Sequence, residues 1–409
     1  MRNRSLLILT AVVTTGALTL TACGSRDDKK PEADSGKTTV VIGVDAPLTG
    51  SLSALGQGIK NSVDLAVKTA NKTNEVPGVT FEMKEYDDQA VPASGQANAQ
   101  KLVGDKGVLG VVGPLNSGVA QSMQGDFAKA NLTQVSPANT NPALSQGDKW
   151  AENEKKRPFK TYFRTATTDV IQGKFAAQYL YNKAKKKKVY VVDDKQTYGA
   201  GLAAIFAEEF KRLGGKVVGT DHVTVKETDF SSTADKVKSK GADSVYFGGQ
   251  YPEGGLLADQ VKKAGAEIPT MGGDALYDPA YISASGESND GDIATSVGSP
   301  IEKLDTAKKF IADYQAAGYK DPYAAYGGYS YDAAWSIIQA VKAVVAANDN
   351  KVPDDARAKV TEAMSQVSFP GVTGQVAYDE YGDTTNKQLT VYTVKGGKWT
   401  DLESSTFED

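Results

Sequence analysis

The sequence has 409 residues, 46 lysines and arginines against 50 aspartates and glutamates, and a formal net charge of −4. This length suits two domains, the hydrophobic share of 40% is too low for a multi-span membrane protein, and the balanced charge argues against general nucleic-acid binding. A single cysteine and a single histidine exclude an intrachain disulfide and a Cys- or His-rich metal site, and a nucleophile–histidine mechanism has only His222 to use.

The N-terminus has the pattern of an export signal. Two arginines in the first four residues precede an apolar stretch over 6–20, which is shorter than the ~20 residues of a membrane-spanning helix. The stretch ends in LTACG, which resembles a bacterial lipobox with Cys23 as the lipidated residue, although an ordinary signal peptide with an incidental cysteine is the alternative. We therefore predict a signal peptide over 1–22, a palmitate-bearing Cys23 that anchors the exported protein to the outer face of the cell membrane, and a flexible tether over 23–38.

From residue 39 the chain alternates short apolar strands with amphipathic helices. The β-branched run 40–44 predicts a buried parallel strand, and the apolar positions between 55 and 70 have helical spacing. A polar segment over 146–160 interrupts this alternation, a second one begins near residue 161, and a hairpin is predicted around Gly396-Gly397. The fold class is therefore α/β, with two doubly wound lobes built on parallel-sheet cores.

Polar residues follow several of the predicted strands. Ser117 opens a helix whose free N–H groups suit a carboxylate, and the segment 136–142 follows the next strand; a helix cap and a Pro/Asn-rich turn are the structural alternatives. Tyr198 and the segment 248–253 follow strands of the second alternation, and Asp274 follows a glycine pair, where it either faces a ligand cation or is a solvated loop acid. Ligands of doubly wound sheets bind at such strand ends.

Several local phrases, together with the lipobox and the two lobes, resemble one family, the leucine/isoleucine/valine-binding proteins. They are Tyr86-Asp87-Asp88, DKQTYGAG over 194–201, TDFS over 228–231 and YFGGQYPE over 246–253, and the likeness extends over about 39–395. The resemblance implies a type I periplasmic binding protein, a monomer without enzymatic activity or cofactor, that delivers an amino acid, most directly a branched-chain one, to the permease of an ABC transporter. A different ligand (an amide, urea or an aromatic acid) and a sensor role remain open, whereas an exported hydrolase is disfavoured because no nucleophile–base motif stands out.

The resemblance also implies how the chain is divided. The ligand cleft is expected between the lobes, and the chain is expected to cross between them three times, at 164–167, 297–300 and 369–373. The implied lobes are 39–165 with 299–370, and 166–298 with 371–409.

Site residues are implied one by one. The ligand carboxylate is expected at Ser117 and Thr140, and its ammonium at the Ala138 carbonyl and at Asp274, where the leucine binders carry glutamate. Because aspartate is one methylene shorter, a bridging water is an alternative to direct contact. Two aromatic residues are expected to close over the ligand and to wall the pocket: Tyr198 and Tyr326.

Three positions depart from the leucine-binder pattern. Leu55 replaces a frequent tyrosine and fits an aliphatic ligand, whereas Gln250 replaces another tyrosine and Asn116 stands at a cysteine position of the family. The two amides indicate a polar ligand side chain or a different ligand, since an unpaired amide is costly when buried.

Overall fold

A computed structural model gives the structure of residues 37–287 and 289–407, all but Lys37 of which belong to the compact unit Thr38–Asp409. The predicted signal peptide, Cys23 and the tether as far as residue 36 lie outside the described residues. No helix in the described part of the chain is both long and apolar enough to cross a bilayer.

Five parallel strands form the first sheet, in the order β2-β1-β3-β4-β5. The strands are β1 (Thr38–Ala46), β2 (Val79–Asp87), β3 (Val108–Val112), β4 (Thr133–Ser136) and β5 (Tyr162–Arg164). Seven helices pack on this sheet or on one another beside it: α1 (Ser53–Thr73), α2 (Pro92–Gly104), α3 (Ser117–Lys129), α4 (Ala143–Gln146), α10 (Lys308–Ala317), α11 (Gly327–Ala346) and α12 (Ala356–Met364). We call this sheet and its helices the first lobe.

Helices cover both faces of the first sheet, which explains the apolar character of its central strands. In β3, Val112 belongs to the core cluster that includes α1 and α11, whereas its neighbour Val111 belongs to the cluster with α2 and α3. Since successive strand residues point to opposite faces, a strand covered on both sides is apolar throughout.

Seven strands form the second sheet, in the order β14-β13-β10-β9-β8-β6-β7. The strands are β6 (Lys188–Asp193), β7 (Lys216–His222), β8 (Ser244–Gly248), β9 (Thr270–Gly272), β10 (Ile293–Ser296), β13 (Gln388–Lys395) and β14 (Lys398–Thr406). The first five strands are parallel to one another, whereas β13 runs antiparallel to both β10 and β14. Its helices are α5 (Asp169–Gln178), α6 (Thr197–Arg212), α7 (Ser231–Ser239), α8 (Tyr251–Lys263) and α9 (Pro279–Ala284). This sheet with its helices is the second lobe.

The hairpin between β13 and β14 turns at Gly396 and Gly397, as the sequence predicts. Both glycines have positive φ, 57° and 70°. A two-residue turn that matches the twist of a hairpin requires this conformation, and glycine adopts it without steric cost.

The chain passes between the lobes at three places. Two of them are 165–168, between β5 and α5, and 297–300, after β10. The third differs, because 368–377 forms a small hairpin, β11 (Ser368–Gly371) and β12 (Gly374–Ala377), beside the first lobe. The Asp332 carboxylate of α11 accepts the backbone N–H groups of Val372 and Thr373 at 2.7 and 2.9 Å. The passage to β13 therefore follows this hairpin and lies beyond the predicted 369–373.

Candidate functional site

The site lies where the loops that follow five parallel strands approach one another. Two of these strands, β3 and β4, belong to the first lobe, and β6, β8 and β9 belong to the second. An inner cavity of about 10 Å³ lies between the loops and is lined by Leu115, Asn116, Ser117, Ala138, Tyr198, Gln250, Asp274, Ala275 and Tyr326. Seven of these are residues that the sequence predicts for the site, so the strand-end rule leads to a single location.

A larger cavity of about 280 Å³ adjoins the inner one. The two cavities share four lining residues: Asn116, Ser117, Tyr198 and Gln250. Charged side chains of both signs, Asp194, Glu253 and Lys226, also line the outer cavity. The four shared residues therefore separate a mixed-charge outer space from the buried surroundings of Asp274.

Asp274 is the buried acid of the inner cavity. It begins a 3₁₀ turn directly after β9 and is only 3% exposed. Its Oδ1 accepts hydrogen bonds from the Tyr198 hydroxyl at 2.8 Å and from Gln172 Nε2 at 2.9 Å, and its Oδ2 accepts the Tyr326 hydroxyl at 2.7 Å. Burial raises the pKa of Asp274 above its ordinary value, while these three hydrogen bonds favour the ionised form and oppose that rise.

The two tyrosines on Asp274 come from different lobes. Tyr198 lies in the first turn of α6, on the same lobe as Asp274, whereas Tyr326 precedes α11 in the first lobe. The bond from Tyr326 to Asp274 is therefore a direct contact between the lobes. Two further bonds cross in the same region, from the Tyr251 hydroxyl to the Ser51 carbonyl at 2.5 Å and from Asn141 Nδ2 to the Thr197 carbonyl at 2.8 Å. The structure is a closed arrangement of the two lobes.

The start of α3 supplies the polar group opposite Asp274. Ser117 is 2% exposed, and its hydroxyl has no hydrogen-bond partner among residues 37–287 and 289–407. The first N–H groups of a helix lack intrahelical acceptors and carry positive partial charge. A buried hydroxyl beside such groups is an arrangement that binds a carboxylate.

Arg164 holds the loop that follows β4. This fully buried residue forms an ion pair with Asp383, with Nε 2.6 Å from Oδ1. Its Nη1 donates to the carbonyls of Asn139 at 3.1 Å and of Asn141 at 2.9 Å. Ala138, which lines the inner cavity next to this anchor, therefore lies on a loop whose backbone Arg164 fixes.

Two predicted site residues do not line either cavity. Leu55, 2% exposed, packs in the largest core cluster of the described residues, which includes apolar residues of both lobes. Thr140 is fully buried behind the inner cavity, and its carbonyl accepts the Asp169 N–H at 2.8 Å. The structure thus brings the other seven predicted residues together around the inner cavity and buries Leu55 and Thr140 outside its lining.

Sequence patterns do not indicate Gln172, which bonds Asp274 directly, or Asp169, which accepts a hydrogen bond from Gln172 Nε2 at 3.3 Å. Gln172 donates to Asp274 through Nε2 and accepts the Asp274 backbone N–H through Oε1 at 2.8 Å. Asp169, one turn earlier on α5, is fully buried, and burial together with the charge of Asp274 raises its pKa to about 8. Their i, i+3 spacing is common on any helix, so only the packing of α5 against the loop after β9 reveals them.

The comparison with family models matches residues 39–398 to a model described as periplasmic binding protein. Among curated proteins, the Leu/Ile/Val-binding protein BraC3 of Rhizobium johnstonii is 33% identical over 359 residues, which cover 88% of this chain and 92% of that protein.

Solved structures agree with this match. The leucine binding protein LivK of Thermotoga maritima has a TM-score of 0.79 and 26% identity, over 89% of this chain and 98% of that one. The branched-chain amino acid transporter substrate binding protein LivJ of Streptococcus pneumoniae, solved in complex with isoleucine, has a TM-score of 0.78 and 25% identity, over 90% and 99% of the two chains.

Proposed function

The chain belongs to the periplasmic binding protein family, and on that premise we propose that it captures an amino acid between its lobes and delivers it to the permease of an ABC transporter. The observation that carries this proposal is the buried carboxylate of Asp274, held by hydroxyls from both lobes and facing the start of α3. The names of its relatives support branched-chain amino acids as the first ligands to test.

In this proposal the ligand ammonium binds Asp274 and the Ala138 carbonyl, once the lobes have moved apart enough to enlarge the inner cavity beyond its 10 Å³, which is room for about one water. An ionised carboxylate offers about four lone-pair sites, and the hydroxyls of Tyr198 and Tyr326 and the amide of Gln172 occupy three. One site therefore remains for a ligand N–H. A cation next to Asp274 would also lower its pKa and stabilise the ionised form in its buried surroundings.

The ligand carboxylate binds at the opposite side, on the Ser117 hydroxyl and the first N–H groups of α3. These groups supply donors and positive partial charge, whereas Asp274 supplies acceptors and negative charge. The two polar groups of an amino acid thus meet opposite partners. Thr140 does not line the cavity. Its carbonyl accepts the Asp169 N–H, so Thr140 supports the loop after β4 through its backbone and does not need to touch the ligand.

Binding is expected to favour the closed state of the two lobes. Ser117 and Tyr326 belong to one lobe and Tyr198 and Asp274 to the other, so a ligand that contacts all four has more partners when the lobes are together. The crossings at 165–168, 297–300 and beyond β12 are the segments that would absorb the motion. The closed form is the one we propose to dock on the permease.

We propose a binding role without covalent chemistry. His222, the sole histidine of the sequence, lies at the end of β7 with 55% of its side chain exposed, and its Nδ1 is 2.8 Å from Asp193 Oδ2. It does not line either cavity of the site. Hydrolysis of an amide or ester by the purified protein would contradict this part of the proposal.

We also propose that Cys23 carries the lipid that anchors a monomeric protein to the membrane. Metabolic labelling with radioactive palmitate tests this, and we expect label on the wild type and none on Cys23→Ser. Equal labelling of both chains would contradict the assignment. Equilibrium sedimentation of the purified protein tests the monomeric state.

The amino acid ligand is tested by titration calorimetry on the purified full chain. We expect at least one amino acid to bind, and to raise the unfolding free energy by about 2.7 kcal/mol at a hundredfold excess over its dissociation constant. Binding of urea or an aromatic acid, with none of the amino acids, would contradict the proposal.

A further inference from the structure

Two carboxamide side chains line the site with oxygens that have no hydrogen-bond partner among the described residues. Asn116 precedes α3 in the first lobe, and Gln250 precedes α8 in the second. Asn116 Oδ1 and Gln250 Oε1 are buried, and neither accepts a hydrogen bond from any residue that the structure describes. Because both residues line both cavities, one amide from each lobe stands where the inner cavity meets the outer one.

Neither amide has the structural role that its position offers. Asparagine is a preferred residue directly before a helix because its side chain accepts an N–H of the first turn. The backbones of Asn116 and Gln250 are both extended there (φ −88° and −94°), but neither side chain caps its helix. Neither amide oxygen is therefore engaged by the first turn of its own helix.

If the ligand side chain had no polar atoms, the two buried amide oxygens would remain without hydrogen-bond donors, which costs binding free energy. A buried amide oxygen without a donor costs about 1–3 kcal/mol, and native proteins pair nearly all such groups. An aliphatic side chain placed between the lobes would cover both amides without offering a donor or an acceptor. Leu55, which the sequence suggests for an aliphatic ligand, lies in the core instead of lining the cavity.

The charges around the outer cavity favour a ligand whose side chain is neutral. Glu253 Oε1 already accepts the Lys226 backbone N–H at 2.8 Å, and Asp194 Oδ1 accepts the Gln196 N–H at 2.9 Å. The Lys226 side chain lines the same cavity as these two acids. With both signs present, neither an acidic nor a basic side chain is selected, whereas an amide pair offers both donors and acceptors.

We propose that the ligand of this site is an α-amino acid whose side chain carries a neutral hydrogen-bonding group, a carboxamide or a hydroxyl, recognised by Asn116 and Gln250. The inference rests on the proposed function, because it assumes that Asp274 and Ser117 hold the α-amino and α-carboxylate groups. It narrows that function from amino acids in general to neutral polar ones, and it sets this chain apart from the aliphatic ligands named for its relatives.

The test is titration calorimetry on the full chain with glutamine, asparagine, threonine, leucine, isoleucine, valine, glutamate and lysine, all L-isomers. We expect at least one of the first three to bind about tenfold or more tightly than each of the other five, because a site built to hydrogen-bond a group discriminates against analogues that lack it. In Gln250→Met, of similar length but without the amide, that preference should fall by about tenfold. The matched control is Gln366→Met, an exposed residue after α12 that lines neither cavity, which should leave the preference unchanged.

The outcomes separate this inference from the proposed function. If leucine, isoleucine, valine, glutamate or lysine binds most tightly, the inference is overturned while amino acid binding stands. If no amino acid binds, both are overturned. Unchanged preference in Gln250→Met and in Asn116→Leu, each still folded by circular dichroism, would likewise overturn recognition by the two amides.

Discussion

At one end of the interlobe site, the Asp274 carboxylate accepts three hydrogen bonds from the protein, whereas at the other end the oxygens of Asn116 and Gln250 accept none from the described residues. We call these the carboxylate end and the amide end. The carboxylate end is organised before a ligand arrives, since hydroxyls from both lobes already orient it. The amide end lacks such partners, so its contacts depend on the ligand. This difference suggests that the carboxylate end supplies affinity for any amino acid and that the amide end decides which one.

The largest expected effect concerns the support behind the carboxylate end. Arg164→Leu removes one partner of a buried ion pair, which typically costs about 3–5 kcal/mol of unfolding free energy. The control Lys262→Leu breaks the buried pair with Asp292 in the second lobe, away from the site, and should cost a similar amount. Urea unfolding measures both losses. Of the two variants, Arg164→Leu alone should also weaken ligand binding, because Arg164 holds the loop that contains Ala138 and Lys262 does not. Equal ligand binding by the two variants would contradict that role.

Asp274→Asn changes only the carboxylate end, and its main effect should be a loss of ligand affinity. The substitution keeps the size of the side chain and removes its charge, so we expect affinity for the ligand to fall about a hundredfold, or about 2.7 kcal/mol. Ligand-free stability should stay the same or rise, since a buried carboxylate no longer has to be desolvated. Asp278→Asn, a buried acid that caps α9 outside the site, is the matched control for calorimetry. Wild-type affinity in Asp274→Asn would exclude this acid from the ligand site.

Tyr326→Phe tests the contact between the lobes at the carboxylate end. The variant leaves Asp274 Oδ2 without its 2.7 Å donor and removes a bond that holds the lobes together, so affinity should fall about tenfold. Tyr314→Phe removes a hydroxyl that donates to the Asp321 carbonyl within one lobe, and calorimetry should find its affinity unchanged. Equal losses in the two variants would point to a general effect of removing a hydroxyl.

The last prediction is a pH dependence of stability, measured without ligand. Asp169 has a pKa of about 8 in the folded protein against an ordinary value of 3.8, so between these values the folded state binds more protons than the unfolded state. The unfolding free energy of the ligand-free protein should therefore fall as the pH rises from about 4 to about 8. Asp194, whose pKa burial raises to about 7, adds a fall in the same direction. Asp169→Asn should show a shallower fall in urea unfolding at several pH values, and parallel curves for the two proteins would contradict the assignment.

The sequence predicts the long elements and the location of the site because both depend on local patterns. Buried strands such as β3 are continuous apolar runs, and residues directly after them, such as Ser117 and Asp274, must lie at one edge of a sheet. β5 and β10 are too short to show a period, and β14 alternates intermediate and exposed residues without a buried face. β5 and β10 emerge only from their pairing with neighbours, whereas β14 is indicated by the hairpin turn predicted at Gly396-Gly397.

The remaining differences arise from contacts between residues far apart in the chain. The backbone at 372–373 stays beside the first lobe because Asp332, about 40 residues earlier, accepts its N–H groups. Gln172 reaches Asp274 across 102 positions, and Leu55 is buried by the packing of α1 against α11. Local spacing contains no information on such contacts. The family resemblance identified the site loops but not the side chain orientation at each position.

The most direct test is a crystal structure of the protein with the tightest-binding amino acid of the calorimetric series. We predict that the amino acid lies between the lobes, with its ammonium nitrogen about 3 Å from the Asp274 carboxylate and its carboxylate on Ser117 and the start of α3. An amino acid bound outside this cleft, or one whose carboxylate faces Asp274, would contradict the account.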